Sequence, residues 1–112
     1  MIVKCVRNSL SFQECEELRR IGYFSIDTSE KTDLEVGLEY EVLAIRFWRG
    51  QALYYVMSDE KRPYPNSYPR AIFQIQDGCL TRNWIASSED SEEALILSPP
   101  GWMENYYKLV SD

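Results

Sequence analysis

Histidine is absent from all 112 residues. With it go the Ser-His-Asp and Cys-His constellations, the usual proton carrier near neutral pH and every imidazole-based metal site. Glycine is sparse and scattered: Gly22, Gly37, Gly50, Gly78 and Gly101 stand singly at turn-like positions, so no glycine-rich phosphate cradle exists. Cys5, Cys15 and Cys79 are odd in number, far apart and outside any Cys-x-x-Cys pair, which leaves neither a disulfide framework nor a thiolate zinc site. No window approaches the roughly 20 apolar residues of a membrane-spanning helix, and the first residues lack the apolar run of a signal peptide. A cytoplasmic protein with three reduced thiols, no cofactor and no membrane partner is the expectation.

Positive charge is also in short supply. Twelve basic side chains face 18 acidic ones, for a net charge of -6, which disfavours direct nucleic-acid binding because phosphate contacts need clustered Lys and Arg. The same field speeds encounter with a basic protein. Acidic side chains that cluster in wet loops keep near-normal pKa values, so a paired-carboxylate hydrolase is disfavoured as well. Asp27, Glu30 and Asp33 fall three residues apart, yet the calcium-loop spacing with its central glycine is missing, and a solvated loop is the simpler reading.

What is present is β-favouring sequence at the length of one domain. Residues 2–7 read as a strand. Ser11-Phe12-Gln13-Glu14 has the Ser-x-x-Glu form of a capping box, predicting a helix over about 12–20 that Gly22 stops. Residues 40–48 and 52–57 form two strands around the turn Arg49-Gly50-Gln51. Prolines mark 63–69 as an ordered surface loop, because they cannot donate to a central ladder. Residues 71–75, 80–86 and 94–98 read as further strands, and Ser87-Ser88-Glu89-Asp90-Ser91-Glu92-Glu93 as an exposed acidic loop. The expected class is mainly β (α+β): one antiparallel partial barrel over 1–112, with a helical insertion at about 12–21 and a C-terminal extension at about 80–112.

Three segments carry a likeness: Val36-Gly37-Leu38-Glu39-Tyr40-Glu41-Val42, then Tyr54-Tyr55-Val56-Met57-Ser58-Asp59, then Tyr68-Pro69-Arg70-Ala71-Ile72-Phe73-Gln74-Ile75. Over 36–75 the chain resembles small bacterial proteins with an SH3-like barrel. The resemblance implies a binding module of the phage-, plasmid- or toxin-associated kind, immunity proteins included.

Aromatic residues supply the candidate contact surface. Trp48, Tyr54, Tyr64, Tyr68 and Trp84 belong to a Tyr- and Trp-rich set, and such rings are enriched at interface hot spots. Tyr54 and Tyr55 must leave opposite faces of one strand, so one of them is outside unless the terminal segment covers it. With Glu89, Asp90, Glu92 and Glu93 these rings compose a surface in which carboxylates guide a basic partner and aromatics hold it. The leading expectation is therefore a non-catalytic inhibitor or immunity protein for a basic toxin such as a nuclease. The alternative is an SH3-like module that grips an extended Pro-rich peptide between Tyr54, Tyr64, Tyr68 and Trp48. Catalysis would have to run through one of the three cysteines.

Overall fold

Val3 and Cys5 turn inward from strand β1 (Ile2–Cys5) while Ile2 and Lys4 are half-buried, the period-two pattern of a strand covered on one face. The computed structural model describes residues 1–23, 32–57, 65–80, 82–89 and 94–102. Helix α1 (Phe12–Ile21) follows. Its capping box is complete, with the Glu14 N–H donating to Ser11 Oγ at 3.2 Å and the Ser11 N–H donating to Glu14 Oε1 at 2.9 Å. Gly22, at φ 102°, ends it: the Gly22 N–H donates to Arg19 O and the Tyr23 N–H to Leu18 O, so the last carbonyls are satisfied by a Schellman motif. Cys15 and Leu18 form the buried stripe of this helix.

The apolar run expected as one strand over 40–48 divides into β2 (Glu39–Glu41) and β3 (Ala44–Trp48). Val42 and Leu43 form the corner between them, where the Val42 N–H donates to Met1 O and the Leu43 N–H to Tyr55 O. Each thus bonds to a different sheet. A two-residue turn joins β3 to β4 (Gln51–Val56). Arg49 and Gly50 both have positive φ, 47° and 84°, as a type I′ hairpin turn demands.

Residues 66–69 correct the surface-loop reading of the proline-rich stretch. They form β5 (Asn66–Pro69), which fits proline's restriction because β5 is an edge strand. A 3-10 turn (Arg70–Ile72) leads into β6 (Phe73–Asp77). The strand expected over 80–86 lies later, as β7 (Ile85–Glu89), and takes in Ser87, Ser88 and Glu89 of the expected acidic loop; β8 (Ala94–Ser98) completes the elements. Pairing with β8, from Ile85↔Ser98 to Glu89↔Ala94, overrides the weak strand preference of that polar segment.

All pairings are antiparallel and give two sheets: three strands in the order β2-β1-β6 and five in the order β5-β4-β3-β8-β7. Among the described residues these sheets do not close into one barrel. The segment read as a C-terminal extension supplies two strands of the larger sheet, with β8 in its interior. Val3, Val42, Leu53, Val56 and Ile72 are fully enclosed and form one core with Leu10, Cys15 and Leu18, so the helix and both sheets share a single interior. Arg7 ties β1 to the helix. Its Nη1 donates to Glu14 Oε1 at 2.6 Å, its Nη2 bonds Glu14 Oε2, and its Nε reaches Ala71 O at 3.4 Å. No described helix is long and apolar enough to cross a membrane.

Candidate functional site

Cross-strand partners in an antiparallel sheet project from the same face, so the register of the five-stranded sheet sorts its side chains into rows. One row is Tyr68–Tyr54–Ile45–Leu97–Ala86 and its neighbour on the same face is Ala52–Phe47–Leu95–Ser88. In the first, Tyr68, Tyr54 and Ile45 are buried. The second is open: Phe47 and Leu95, a direct cross-strand pair, are 42% and 41% exposed. On the reverse face Leu53, Ile96, Trp48 and Tyr55 are all buried.

The open row floors a groove of about 840 Å³. Ile45, Phe47, Ala52, Tyr54 and Leu95 supply apolar surface, and Arg49 and Arg70 are the charged members among the described lining residues. Arg49 is fixed at the hairpin tip. Its Nη1 donates to Ile21 O at 3.0 Å and its guanidinium lies 5.7 Å from the Trp48 ring, so a cation meets the carbonyl end of α1. Arg70 begins the 3-10 turn and is exposed. Burial pushes the Tyr54 phenol above its ordinary pKa while the positive charge of Arg70 pulls it down, and both residues line the groove.

Several residues singled out in the sequence come to this place, although less exposed than a contact surface requires. Trp48 and Tyr54 line the groove with 7% and 4% of their surface exposed. Tyr54 packs against Phe73 at a ring-centroid distance of 5.7 Å, and Arg46 stacks 4.3 Å above Trp48 on the reverse face. Tyr68 is 4% exposed and donates its hydroxyl to Asp33 Oδ1 at 2.5 Å. Trp84 is half-buried against the core. Glu89 is the last residue of β7, paired with Ala94, which lines the groove. Tyr64, Asp90, Glu92 and Glu93 lie outside the described residues, as do Asp27 and Glu30.

Tyr55 answers the question of faces. It is buried opposite Tyr54 because Trp102 covers it, the two rings meeting edge to face at 5.6 Å. Phe47, Leu95, Arg49 and Arg70 are among the groove residues that sequence reasoning missed. Phe47 carried a usable signal: it sits between Arg46 and Trp48 on a strand and so points away from both. Arg70 and Leu95 carried none, because the groove joins strands that are far apart in the chain.

Among the described residues no group of three or more His, Cys, Asp or Glu side chains converges as a metal site would require. Cys5 and Cys15 are buried and Cys79 is exposed. Burial pushes the Cys5 thiol up in pKa, against the direction a nucleophile needs. Among the described residues, the exposed carboxylates Glu39 and Glu41 on β2 and Asp77 on β6 flank β1 on the small sheet. Comparison with protein-family models, curated proteins and solved structures returns no match.

Proposed function

We propose that this chain is a non-catalytic protein-binding domain that receives an extended segment of a partner protein in the groove, in the role of an inhibitor or immunity protein for a basic toxin such as a nuclease. The observation that carries the reading is the open Ala52–Phe47–Leu95–Ser88 row, an apolar floor on a sheet whose reverse face is covered. The acidic balance of the chain and the outward Glu39, Glu41 and Asp77 supply attraction for a positively charged partner. Kinship with SH3-like barrel proteins belongs to the same proposal and rests on the motifs within 36–75. The test is to co-express this chain with the product of each neighbouring gene and score protection of growth from any that is toxic. Wild-type protein rescues growth, whereas the F47D/L95D double variant, altered only at exposed positions, still unfolds cooperatively within a few degrees of the wild type and loses rescue. Full protection by that variant would remove the groove from the function.

A second reading, capture of a Pro-rich peptide by an SH3-like module, rests on Tyr54 and the exposed Phe47 ring beside it in the groove, with Trp48 at the groove's end. Titration with a proline-rich decapeptide would then shift the tryptophan emission of the wild type. Reversing Glu89, Asp90, Glu92 and Glu93 to Lys separates the readings: toxin neutralisation falls under the first, and peptide affinity is unchanged under the second.

A further inference from the structure

An acidic chain has placed two arginines and, among the described residues, no carboxylate around this open apolar groove. Two cations beside an apolar floor favour an occupant that brings a carboxylate. We infer that the groove takes an extended peptide segment that sets apolar side chains on the Phe47–Leu95 pair and an Asp or Glu carboxylate against Arg70, with Arg49 as the second cation. This rests on the groove reading above and names the chemistry of what the groove reads.

Dimensions favour an extended segment. The open row crosses four adjacent strands, about 14 Å at the usual spacing of ~4.8 Å between strands, which an extended chain of about five residues covers. Alternate side chains of such a segment face the floor, and a Glu between them is long and flexible enough to bend its carboxylate towards an arginine at the groove's side. The rim cations differ in availability. Arg49 already spends one N–H on Ile21 O, and a guanidinium has five donors, so others stay open. Arg70 is exposed, lines the groove together with Tyr54, and has a guanidinium that makes no hydrogen bond to the described residues. A planar fork in that position matches a carboxylate with two parallel hydrogen bonds. Long-range attraction to a basic partner and local reading of one carboxylate do not conflict: the first acts through the net field, the second at contact distance.

The experiment uses the intact chain and three N-acetylated, C-amidated octapeptides in which Val alternates with Glu, Gln or Lys, followed by amide chemical shifts. The Val-Glu peptide is expected to shift the resonances of Phe47, Arg70 and Leu95 and to bind about tenfold more tightly than Val-Gln, as one charge-assisted pair implies. In R70E the order reverses, with Val-Lys the strongest. Equal binding of all three peptides, no binding at millimolar concentration, or an R70E variant that still prefers Val-Glu overturns the inference. Hexanoate binding as tightly as the peptide would identify a small-molecule acid site, and sedimentation showing a dimer that F47D dissolves would identify a second copy as the occupant; either outcome also overturns it. The two proposals fail separately. If F47D/L95D abolishes toxin protection while R70E leaves it intact, the groove reading stands and the carboxylate preference falls.

Discussion

Replacing Gly22 by Ala probes the joint between α1 and the large sheet. Gly22 sits at φ 102°, and a Cβ there would lie 3.2 Å from Cη2 and 3.4 Å from Cζ2 of Trp48. Two costs add. An L side chain in left-handed backbone loses about 1–2 kcal/mol, and pushing the packed Trp48 ring aside costs about 1–2 kcal/mol more, in the range of overpacked cores. Gly37 isolates the first cost, because it has a similar φ of 94° and no atom within 4 Å of the place a Cβ would take. Both variants gain the same stiffening of the unfolded chain, which cancels in the comparison. At an unfolding entropy of about 2.1 cal/mol/K per residue, the chain loses roughly 4 °C of melting temperature per kcal/mol. The expected drops are then about 4–8 °C for G37A and about 8–16 °C for G22A. Calorimetry measures both, and near-UV circular dichroism should register a displaced Trp48 in G22A alone. Equal losses in the two variants, or an undisturbed tryptophan signal in G22A, would refute the idea that the helix end is seated against that indole.

Other consequences are open to direct measurement. The Arg7 guanidinium holds the Glu14 carboxyl down at about 2, from an ordinary value of 4.5; a depressed folded-state pKa adds stability that is fully present above 4.5 and is lost as pH falls towards 2. Discounted because Arg7 is itself exposed, the pair is worth about 1–2 kcal/mol at neutral pH. In urea melts E14Q, which can still complete the capping box, should lose that amount at pH 7 and converge with the wild type near pH 2. Removing Trp102 uncovers Tyr55, so W102A should cost about 1–2 kcal/mol through the lost ring pair and exposed surface, and should make the Tyr55 ring accessible to an aqueous tyrosine-modifying reagent that leaves it untouched in the wild type. At the groove, F47D should lower the melting temperature by no more than about 2 °C, since surface changes stay within about 0.5 kcal/mol, while abolishing partner binding.

Local chemistry was the legible part of this fold. The capping box of Ser11 and Glu14, the stop at Gly22, and the hairpin around Arg49 and Gly50 stand where the sequence put them, because each is decided within a few residues. Non-local pairing decided the rest. Nothing in Tyr40–Trp48 announces that Val42 and Leu43 turn a corner between two sheets; their bonds go to Met1 and Tyr55. Strand β7 is polar and short, and forms because β8 offers it a ladder; its exposed Ala86 and Ser88 suit an edge that must not recruit another chain. Likewise Trp48 and Tyr54 both line the groove, but their burial depends on α1 and on Phe73, which approach from distant parts of the chain.

The order of the strands has a consequence for how the protein comes off the ribosome. Strand β1 lies between β2 and β6, with Ile2 opposite Asp77, and β3 waits for β8, with Ile45 opposite Leu97. Neither sheet can be finished from contiguous chain, so loop closure over many tens of residues precedes the reward of pairing. Folding should be slow for a domain of this size: the small sheet can close once Asp77 has emerged, but the large sheet waits for residue 98, and until then the β8-facing edge of β3 is unpaired and in need of protection.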